Sequence, residues 1–240
     1  MAKSGKLYLI PNTLGGETIS EIIPEEVVRI ASTLRIFAVE EIKSARRLLR
    51  KMDRSFPIDE CLFVQMNKHS GEKELMDLLM KLISGENVGI ISEAGCPGIA
   101  DPGAELVHLA HAQGVEVHPM VGPSSILLAL IGSGFSGQKF SFHGYLPKER
   151  KDRVKKIKDF EMDSRRNGST HIFMDTPFRN MNVLEDLLNE LSDFTELCIA
   201  SNLTQQHERI KTLSIVDWRE NAYDLSKSPT IFLIGKGGGK

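Results

Sequence analysis

A loop rich in glycine and proline follows a short apolar run and carries the residues best suited to bind a ligand. Residues 88–91 read Val-Gly-Ile-Ile, as expected of a strand buried in a parallel sheet. Residues 95–103 then hold three glycines and two prolines in nine positions, too many for the interior of a helix or a strand. Asp101 is suited to cap, and Pro102 to begin, the helix predicted over 104–112. Ligands bind at the carboxyl ends of strands in open α/β sheets, so this long loop favours a binding site over an ordinary connection.

Acidic and histidine side chains in this loop and in a second polar run could act on a bound ligand. Glu93 and Asp101 could pair as acid and base, and they could equally hold a ribose or an amino group. His207 and Glu208 end a polar run after a predicted strand, where they could hold a general base or form a turn. Taken alone, these residues indicate an α/β enzyme with a ligand at the loop after the fourth strand.

Motif and spacing argue against several other chemistries. The chain lacks a G-x-G-x-x-G or Walker sequence after its first strand and lacks a G-x-S-x-G turn. His108, His111 and His118 have the spacing of metal ligands without a fourth ligand of clear geometry, so we expect solvated or capping roles and no metal. The three cysteines are far apart and odd in number, which favours a reducing cytosol over disulfides or a cysteine metal site.

Composition is that of a soluble globular protein, with 41% hydrophobic and 26% charged residues. No apolar run reaches 18 residues and the amino terminus lacks a signal-peptide core, so we expect no membrane span and a cytoplasmic location. The net charge of -2 gives no general case for nucleic acid. Locally, residues 43–54 hold six basic side chains against one acidic, and residues 148–158 hold seven against two. Each run is either a solvated helix face or a patch that meets phosphates.

Strands and helices alternate through the first half without a hairpin signal, which predicts a doubly wound parallel sheet with right-handed crossovers. The predicted strands are 7–10, 36–39, 61–64, 88–91 and 115–118, and the predicted helices are 24–34, 44–52, 72–84 and 104–112. The second half has fewer helices per strand, which predicts a mixed sheet. Its strands are 140–145, 171–174, 196–200, 208–213 and 230–234, and its helices are 124–131, 148–160, 182–191 and 217–219. We therefore expect two α/β domains, residues 1–122 and 123–240.

Seven segments resemble, in the same order, the tetrapyrrole-methylase superfamily of S-adenosylmethionine-dependent methyltransferases. They cover most of the chain and read GKLYLIPNTLGG, VEEIKSARRLL, GIISEAGCPGIADPG, VHPMVGPSSILLAL, FSFHGYLPKE, FMDTPFRN and LTQQHE. The branch they resemble most is that of the bacterial 16S ribosomal RNA cytidine 2′-O-methyltransferases. The resemblance implies two α/β domains with S-adenosylmethionine in the cleft between them, a homodimer and no metal.

The same resemblance implies a set of cofactor contacts made largely by backbone and apolar groups. This would explain why glycine and proline dominate the loops, because side chains there would block the approach of a ligand. The matching positions are Leu14, Glu93, Pro97, Ser125, Ile126, Met174, Ala200 and Pro229.

The chain departs from the ribosomal branch mainly at positions expected to meet the methyl acceptor. Residues 40–43 read Glu-Glu-Ile-Lys where that branch has Glu-Asp-Thr-Arg, and residues 174–177 read Met-Asp-Thr-Pro where it has Tyr-Glu-Ser-Pro. Gln205 replaces a lysine, and the long loop reads Ser-Glu-Ala-Gly rather than Ser-Asp-Ala-Gly. Replacing a lysine by a neutral side chain weakens phosphate contacts. The resemblance therefore implies a retained donor site and an altered acceptor site.

Transfer to a ribose hydroxyl would require a base or a nearby cation to handle its proton. The candidates are Glu41, Lys43, His207 and Glu208, and each could instead be a structural cap or a surface pair. Three hypotheses remain open: methylation of ribosomal RNA in or from the small ribosomal subunit, methylation of a tetrapyrrole or other small molecule, and donor binding without methyl transfer.

Overall fold

The chain folds into two units, which a computed structural model describes over residues 3–16, 18–66, 72–100 and 103–237. The first unit is Met1–Ser124 and the second is Ser125–Lys240. Each contains a five-stranded sheet with helices packed against it.

The first unit alternates strands and helices as the hydrophobic pattern predicts. Its elements are β1 (Lys6–Ile10), α1 (Ile19–Ile22), α2 (Glu25–Thr33), β2 (Ile36–Val39), α3 (Ile42–Met52), β3 (Leu62–Gln65), α4 (Glu72–Ile83), β4 (Val88–Ile91), α5 (Ala104–Ala112) and β5 (Glu116–Pro119). The strand order is β3-β2-β4-β1-β5, and every pairing is parallel. Both faces of the sheet are covered, which is why β2 and β4 are apolar at every position and fully buried.

Two hydrophobic cores lie on opposite faces of this sheet. α2 and α3 contribute to one core and α4 and α5 to the other, while successive residues of β2 and β4 alternate between the two. The chain runs from β1 through β3 in one direction across the sheet and from β3 through β5 in the other. The neighbouring strands β1 and β4 therefore send their loops to opposite faces, which creates a topological switch point, where ligands bind in this class of sheet.

The second unit holds the predicted mixed sheet. Its elements are α6 (Ser125–Ser133), β6 (Phe140–Tyr145), α7 (Arg150–Asn167), β7 (Thr170–Met174), α8 (Asn180–Glu190), β8 (Glu196–Ser201), β9 (Arg209–Ser214), α9 (Ile215–Asn221) and β10 (Thr230–Gly235). The order is β6-β7-β10-β8-β9, with β6 and β7 parallel and the other pairs antiparallel. Trp218 lies fully buried in the core and donates its indole N–H to the Leu197 carbonyl at 2.7 Å. The prediction of two α/β domains, one parallel and one mixed, is confirmed.

Several helix boundaries differ from the sequence prediction by one or two residues, and the carboxyl end of α7 differs by seven. α7 continues to Asn167 rather than ending at 160, because Ile157, Phe160, Glu161 and Ser164 keep one buried face in register until Gly168 ends the helix at φ 65°. α5 begins at Ala104 after a glycine at φ 122°. The predicted cap Asp101 and the predicted first helical residue Pro102 lie outside the described residues.

Candidate functional site

Three loops meet at the carboxyl edge of the parallel sheet in the first unit. They follow β1, β4 and β5, three strands that lie side by side in the sheet. The loop after β1 forms an isolated antiparallel bridge with the loop after β4, between Asn12 and Gly95. The loop after β5 packs against the first of these, because a Cβ on Gly122 would lie 2.2 Å from the Pro11 Cβ. The switch point is therefore built from loops that fix one another.

Asn12 is the residue that ties the first two loops together. Its Nδ2 donates to the Ser92 carbonyl at 3.1 Å and to the Glu93 carbonyl at 2.9 Å, while its Oδ1 accepts from the Thr13 N–H at 2.8 Å. Its backbone N–H adds a bond to the Gly95 carbonyl at 2.9 Å. The side chain is buried, so each of its polar atoms needs a partner. Sequence reasoning missed Asn12, although an asparagine directly after a strand and a proline is a recognisable turn signal.

Gly95 lets the three loops approach one another closely. Its φ of 69° lies in the left-handed region, where a side chain is strained. A Cβ there would also lie 3.2 Å from the Leu14 Cδ2 and 3.3 Å from the Pro123 carbonyl oxygen. The Cys96 thiol points to that same carbonyl at 3.4 Å, and burial raises its pKa, so it acts as a packing group. The surface of the site is consequently lined largely by backbone.

The structure brings the candidates that it describes in the first unit to this edge. Leu14 is partly buried, Glu93 is exposed, and Pro97 is buried in the loop after β4. Glu41 and Lys43 follow β2, which pairs with β4, so they stand beside that loop's strand. The Glu41 carboxylate caps α3 by accepting the Lys43 backbone N–H at 3.1 Å, whereas the Lys43 side chain is exposed.

The candidates of the second unit gather at one edge of the mixed sheet. Ile231 of β10 lies opposite Met174 on one side and Ala200 on the other, and Pro229 directly precedes β10. Met174 is partly buried, Ala200 is fully buried and Pro229 is exposed. The two remaining candidates, Ser125 and Ile126, begin α6 and are partly buried.

His207 and Glu208 lie in the loop that joins β8 to β9 at the same edge. The Glu208 Oε2 accepts the Thr204 backbone N–H at 2.6 Å, in a turn where Thr204 has φ 63°. Backbone bonds from Gln205 to Asn202 and from Glu208 to Gln205 tighten this turn. Glu208 thus stabilises the loop, and His207 presents an exposed imidazole on it.

A second polar turn, whose residues sequence reasoning gave no role, follows β7. Asp175 pairs with Arg179 at 3.0 Å, and Arg179 also donates to the Pro147 carbonyl at 2.9 Å. Asn180 is fully buried and donates to the Ser228 carbonyl at 2.7 Å, next to the candidate Pro229. These bonds connect three loops of the second unit, so the aspartate that replaces the family's glutamate at position 175 retains a structural partner.

A chain of titratable groups lies away from both edges, on the face of the mixed sheet that α7 covers. His143 Nε2 contacts His171 Nδ1 at 2.9 Å, and His171 Nε2 contacts Asp163 Oδ2 at 2.9 Å, with Phe160 packed against both rings. Burial, reinforced by the charges of His171 and Lys156, lowers the pKa of His143 to about 4. Burial also lowers the pKa of His171, against the opposing effect of Asp163. Both imidazoles are therefore neutral at pH 7.

Two kinds of feature are absent from the described ranges. In these ranges, no group of three or more histidine, cysteine, aspartate or glutamate side chains could hold a metal ion. Nor does any helix there combine the length and apolar character needed to cross a membrane.

Three curated relatives of this chain share one name. A match of 29% identity over 231 residues covers 95% of this chain and 76% of the ribosomal RNA small subunit methyltransferase I of Vibrio cholerae. The proteins of that name from Synechocystis sp. and Thermotoga maritima are 31% and 30% identical to this chain. Those two matches each cover 85% of this chain, and 69% and 86% of the respective relatives. No protein-family model matches the sequence.

Solved structures of similar fold include two methyltransferases. The methyltransferase CobJ matches with a TM-score of 0.64 at 18% identity, over 99% of this chain and 96% of that one. The uroporphyrin-III-C-methyltransferase from Thermus thermophilus matches with a TM-score of 0.55 at 18% identity, over 97% and 92% of the two chains. At such identities the likeness demonstrates a common fold and nothing about substrate.

Proposed function

Since this chain belongs to the ribosomal RNA small subunit methyltransferase I family, we propose that it transfers a methyl group from S-adenosylmethionine to a ribose 2′ oxygen of small-subunit ribosomal RNA. The resemblance to tetrapyrrole methylases stated from the sequence is confirmed by these relatives and by the shared fold. The observation that carries the proposal is the meeting of three mutually bonded loops at the switch point of the parallel sheet.

The residues at this switch point fit a cofactor that combines a flat base, a ribose and an amino acid. Glycine at position 95 keeps side chains out of the place where the loops converge, and a Cβ on Gly98 would meet nothing within 4 Å, so the loop surface there is open. Leu14 and Pro97 offer apolar carbon, and Glu93 offers an exposed carboxylate to a hydroxyl or an amino group. When bound, S-adenosylmethionine supplies a methyl group on a positively charged sulfur, activated toward an oxygen nucleophile.

Because the donor is already activated, the protein has to align the reactants, exclude water and take up one proton. As the ribose oxygen forms its bond to the methyl carbon and the carbon–sulfur bond breaks, the hydroxyl proton must pass to a base. Glu41 and Glu208 already accept backbone N–H groups. We therefore assign proton uptake to His207, because imidazole exchanges protons near neutral pH, and stabilisation of the developing oxyanion to Lys43.

By resemblance to the family, we propose five further contacts with S-adenosylmethionine. Ser125, Ile126, Met174, Ala200 and Pro229 are the second unit's share of the donor site. We further propose that the enzyme acts in the cytoplasm, where ribosomes are its substrate, and that it works as a homodimer. Light scattering on the purified protein tests the dimer, and a monomer at working concentrations would contradict it.

Methyl transfer to defined acceptors tests the function. Small subunits from cells that lack the gene should take up labelled methyl from saturating donor, and the label should resist alkaline hydrolysis at one linkage, as a 2′-O-methyl group does. Large subunits are the matched control and should stay unlabelled. Labelling of a corrinoid or porphyrinoid precursor instead would favour a small-molecule methyltransferase. Donor binding by calorimetry at one site per chain without transfer to any acceptor would favour a binding protein.

His207→Gln separates the proposed base from a structural residue. If His207 takes the proton, kcat should fall about 100-fold or more, while KM for S-adenosylmethionine stays unchanged. His118→Gln serves as the control, because His118 is a histidine of the first unit that stacks on Tyr8 of the neighbouring strand β1 and pairs with Glu116 of its own strand β5. Equal activity of both variants would exclude His207 from the reaction.

A further inference from the structure

The two basic runs of the sequence, residues 43–54 and 148–158, differ in the ion pairs that they form. The cations of the first run form almost none with the described residues. We propose that the exposed basic face of α3, formed by Lys43, Arg47, Arg50 and Lys51, binds the phosphate backbone of the RNA substrate. This inference rests on the proposed function and names the surface by which the acceptor is held.

The charge of α3 is neither balanced nor buried. Its eleven residues include five basic and no acidic side chains, and all five basic side chains are exposed. The one ion pair from α3 that the described residues contain joins Arg46 to Asp59 at 3.1 Å. Arg50 donates to the Arg54 carbonyl, which leaves its charge in place. In the part of the chain that the structure describes, Lys43, Arg47 and Lys51 form no ion pair, and the charge of Arg50 also acts on Asp53, so a phosphate chain would meet cations that are largely unpaired.

This arrangement costs helix stability, so folding alone does not account for it. Lys43 lies in the first turn, where the helix dipole disfavours a cation. Like charges also lie four residues apart on one side of the helix, at 43 and 47, 46 and 50, and 47 and 51, and each such pair destabilises a helix. Residues that lower stability in this way are expected where a partner of opposite charge binds.

α7 is also rich in basic residues, but several of them form ion pairs that stabilise its packing against α8. Arg150 and Arg153 both pair with Asp186 of α8, at 2.8 and 2.7 Å. Lys158 pairs with Glu190 at 2.8 Å, and α7 carries four acidic residues of its own. Three cations of α7 are therefore used to hold α8, whereas the one described ion pair of α3 is that of Arg46 with Asp59, so α3 is the better phosphate surface.

The position of α3 suits a substrate that enters the candidate site. α3 begins shortly after β2 ends, at the same sheet edge as the loop that carries Glu93. From Lys43 to Lys51 the face extends about 12 Å along the helix axis. An RNA strand that lies along this face would reach the edge with the candidate loops at the Lys43 end.

A membrane surface could also attract such a helix, but the other face of α3 argues against it. Ala45, Leu48 and Leu49 are buried in the core of the first unit. A helix that binds at a lipid interface needs its apolar face free to enter the bilayer. RNA requires only the charged face, so RNA is the partner that the structure favours.

The test compares two double variants that remove the same charge from different helices. Arg47→Gln/Lys51→Gln acts on the basic face of α3. Lys151→Gln/Lys155→Gln is the matched control on α7, because its two lysines are also four residues apart, exposed and without an ion pair to the described residues. Neither variant touches a candidate donor or catalytic residue. Binding of small-subunit RNA is measured from about 50 mM to about 400 mM salt, a range over which phosphate contacts weaken strongly, with donor affinity by calorimetry in parallel.

We expect the α3 variant to bind RNA roughly 10- to 30-fold more weakly at about 0.1 M salt. The slope of log K against log salt should fall by about 1.4, because each of the two phosphates that the variant no longer neutralises contributes about 0.7 on a single strand. The α7 control should keep the wild-type slope, and both variants should keep wild-type donor affinity. The α3 variant should melt at or above the wild-type temperature, because it removes the repulsion between residues 43 and 47 and between residues 47 and 51.

The outcomes distinguish failure of the surface from failure of the proposed function. Wild-type methyl transfer with an unchanged salt slope in the α3 variant would overturn the inference and leave the function standing. A reduced slope in the α3 variant without methyl transfer by the wild type would support the surface and reject the function. No binding of RNA by the wild type at the lowest salt would reject both. Tighter binding to vesicles rich in anionic lipid than to RNA, lost in the α3 variant, would overturn the assignment to RNA.

Discussion

Asn12 is the residue whose removal most directly tests how the candidate site of the first unit is built. Its carboxamide joins the loop after β1 to the loop after β4 by donating to two carbonyl groups of the second loop. Substitution by alanine deletes two donated bonds and one accepted bond without adding bulk. The Asn12 backbone bond to Gly95 remains. The variant therefore measures what the side chain alone contributes to the free energy of unfolding and to donor affinity.

The expected loss follows from the count and burial of these bonds. Each bond contributes about 1 kcal/mol net, and the carbonyl of the buried Ser92 and that of the exposed Glu93 each lose a partner. We expect the free energy of unfolding to fall by about 2–3 kcal/mol. The loop that carries Glu93 also gains freedom, and ordering it again on binding costs about 1–2 kcal/mol. Donor affinity should therefore fall about 5- to 30-fold.

The assay combines chemical unfolding with calorimetric titration of S-adenosylmethionine and S-adenosylhomocysteine. Asn87→Ala is the matched control, because Asn87 accepts one exposed bond from the Lys6 N–H at the opposite end of the same sheet. The control should lose less than about 1 kcal/mol and keep full donor affinity. Asn12→Asp sharpens the test, since a carboxylate would face the two carbonyl oxygens that the amide now bonds, and it should lose more stability at pH 7 than Asn12→Ala.

One result would refute this reasoning. If Asn12→Ala loses stability by the expected amount but binds the donor as tightly as the wild type, the bridge is structural and the cofactor does not use these loops. Equal stability of Asn12→Asp and the wild type at pH 7 would show that the polarity of the bridge does not matter.

Three further predictions concern strain, burial and pH. Gly95→Ala should cost about 1–2 kcal/mol of stability from its φ of 69° and close neighbours, and should weaken donor binding; unchanged melting and affinity would contradict this. Arg153→Met should cost about 3–5 kcal/mol in urea unfolding because it leaves Asp186 with one partner in a buried site, and adding Asp186→Leu should recover part of the loss. The pKa of His143 is lowered in the fold to about 4, so the neutral ring contributes its full share of the free energy of unfolding above pH 6.5, and this contribution is lost as the pH falls toward 4. The shift sets an upper bound of ~3 kcal/mol on the contribution, which reduces to about 1–2 kcal/mol because the ring is partly exposed. His143→Gln should flatten that decline in unfolding measured from pH 7 to pH 4, and an unchanged decline would assign it to other groups.

Much of the fold could be predicted because the hydrophobic pattern of each segment agrees with the burial of that segment in the folded protein. The runs at 36–39 and 88–91 are apolar throughout since both faces of the parallel sheet are covered, and the structure has strands at both. The smaller number of helices per strand in the second half indicated a mixed sheet. The predicted end of α7 was wrong because the prediction followed charge rather than the buried positions that continue to Ser164.

The candidate site was located from the sequence but its construction was not. A long loop after β4 marked the place, and the segments that resemble a family marked the positions. The roles of Glu41 and Glu208 as acceptors of backbone N–H groups emerged from hydrogen bonds that the residue types allow but do not require. Glu and His at a strand end are compatible with catalysis and with capping, and geometry separates the two.

The amino-acid sequence by itself determined the alternation of elements, the apolar cores and the place of the glycine-rich loop, because these depend on periodicity and on the backbone preferences of single residues. Tertiary structure alone decided that Asn12 bridges to carbonyls about 80 positions away, and that Arg150, Arg153 and Lys158 of α7 form ion pairs with α8. A hydrogen bond or an ion pair depends on which groups meet in space. Two basic runs of similar composition are therefore equivalent along the chain and different in the folded protein.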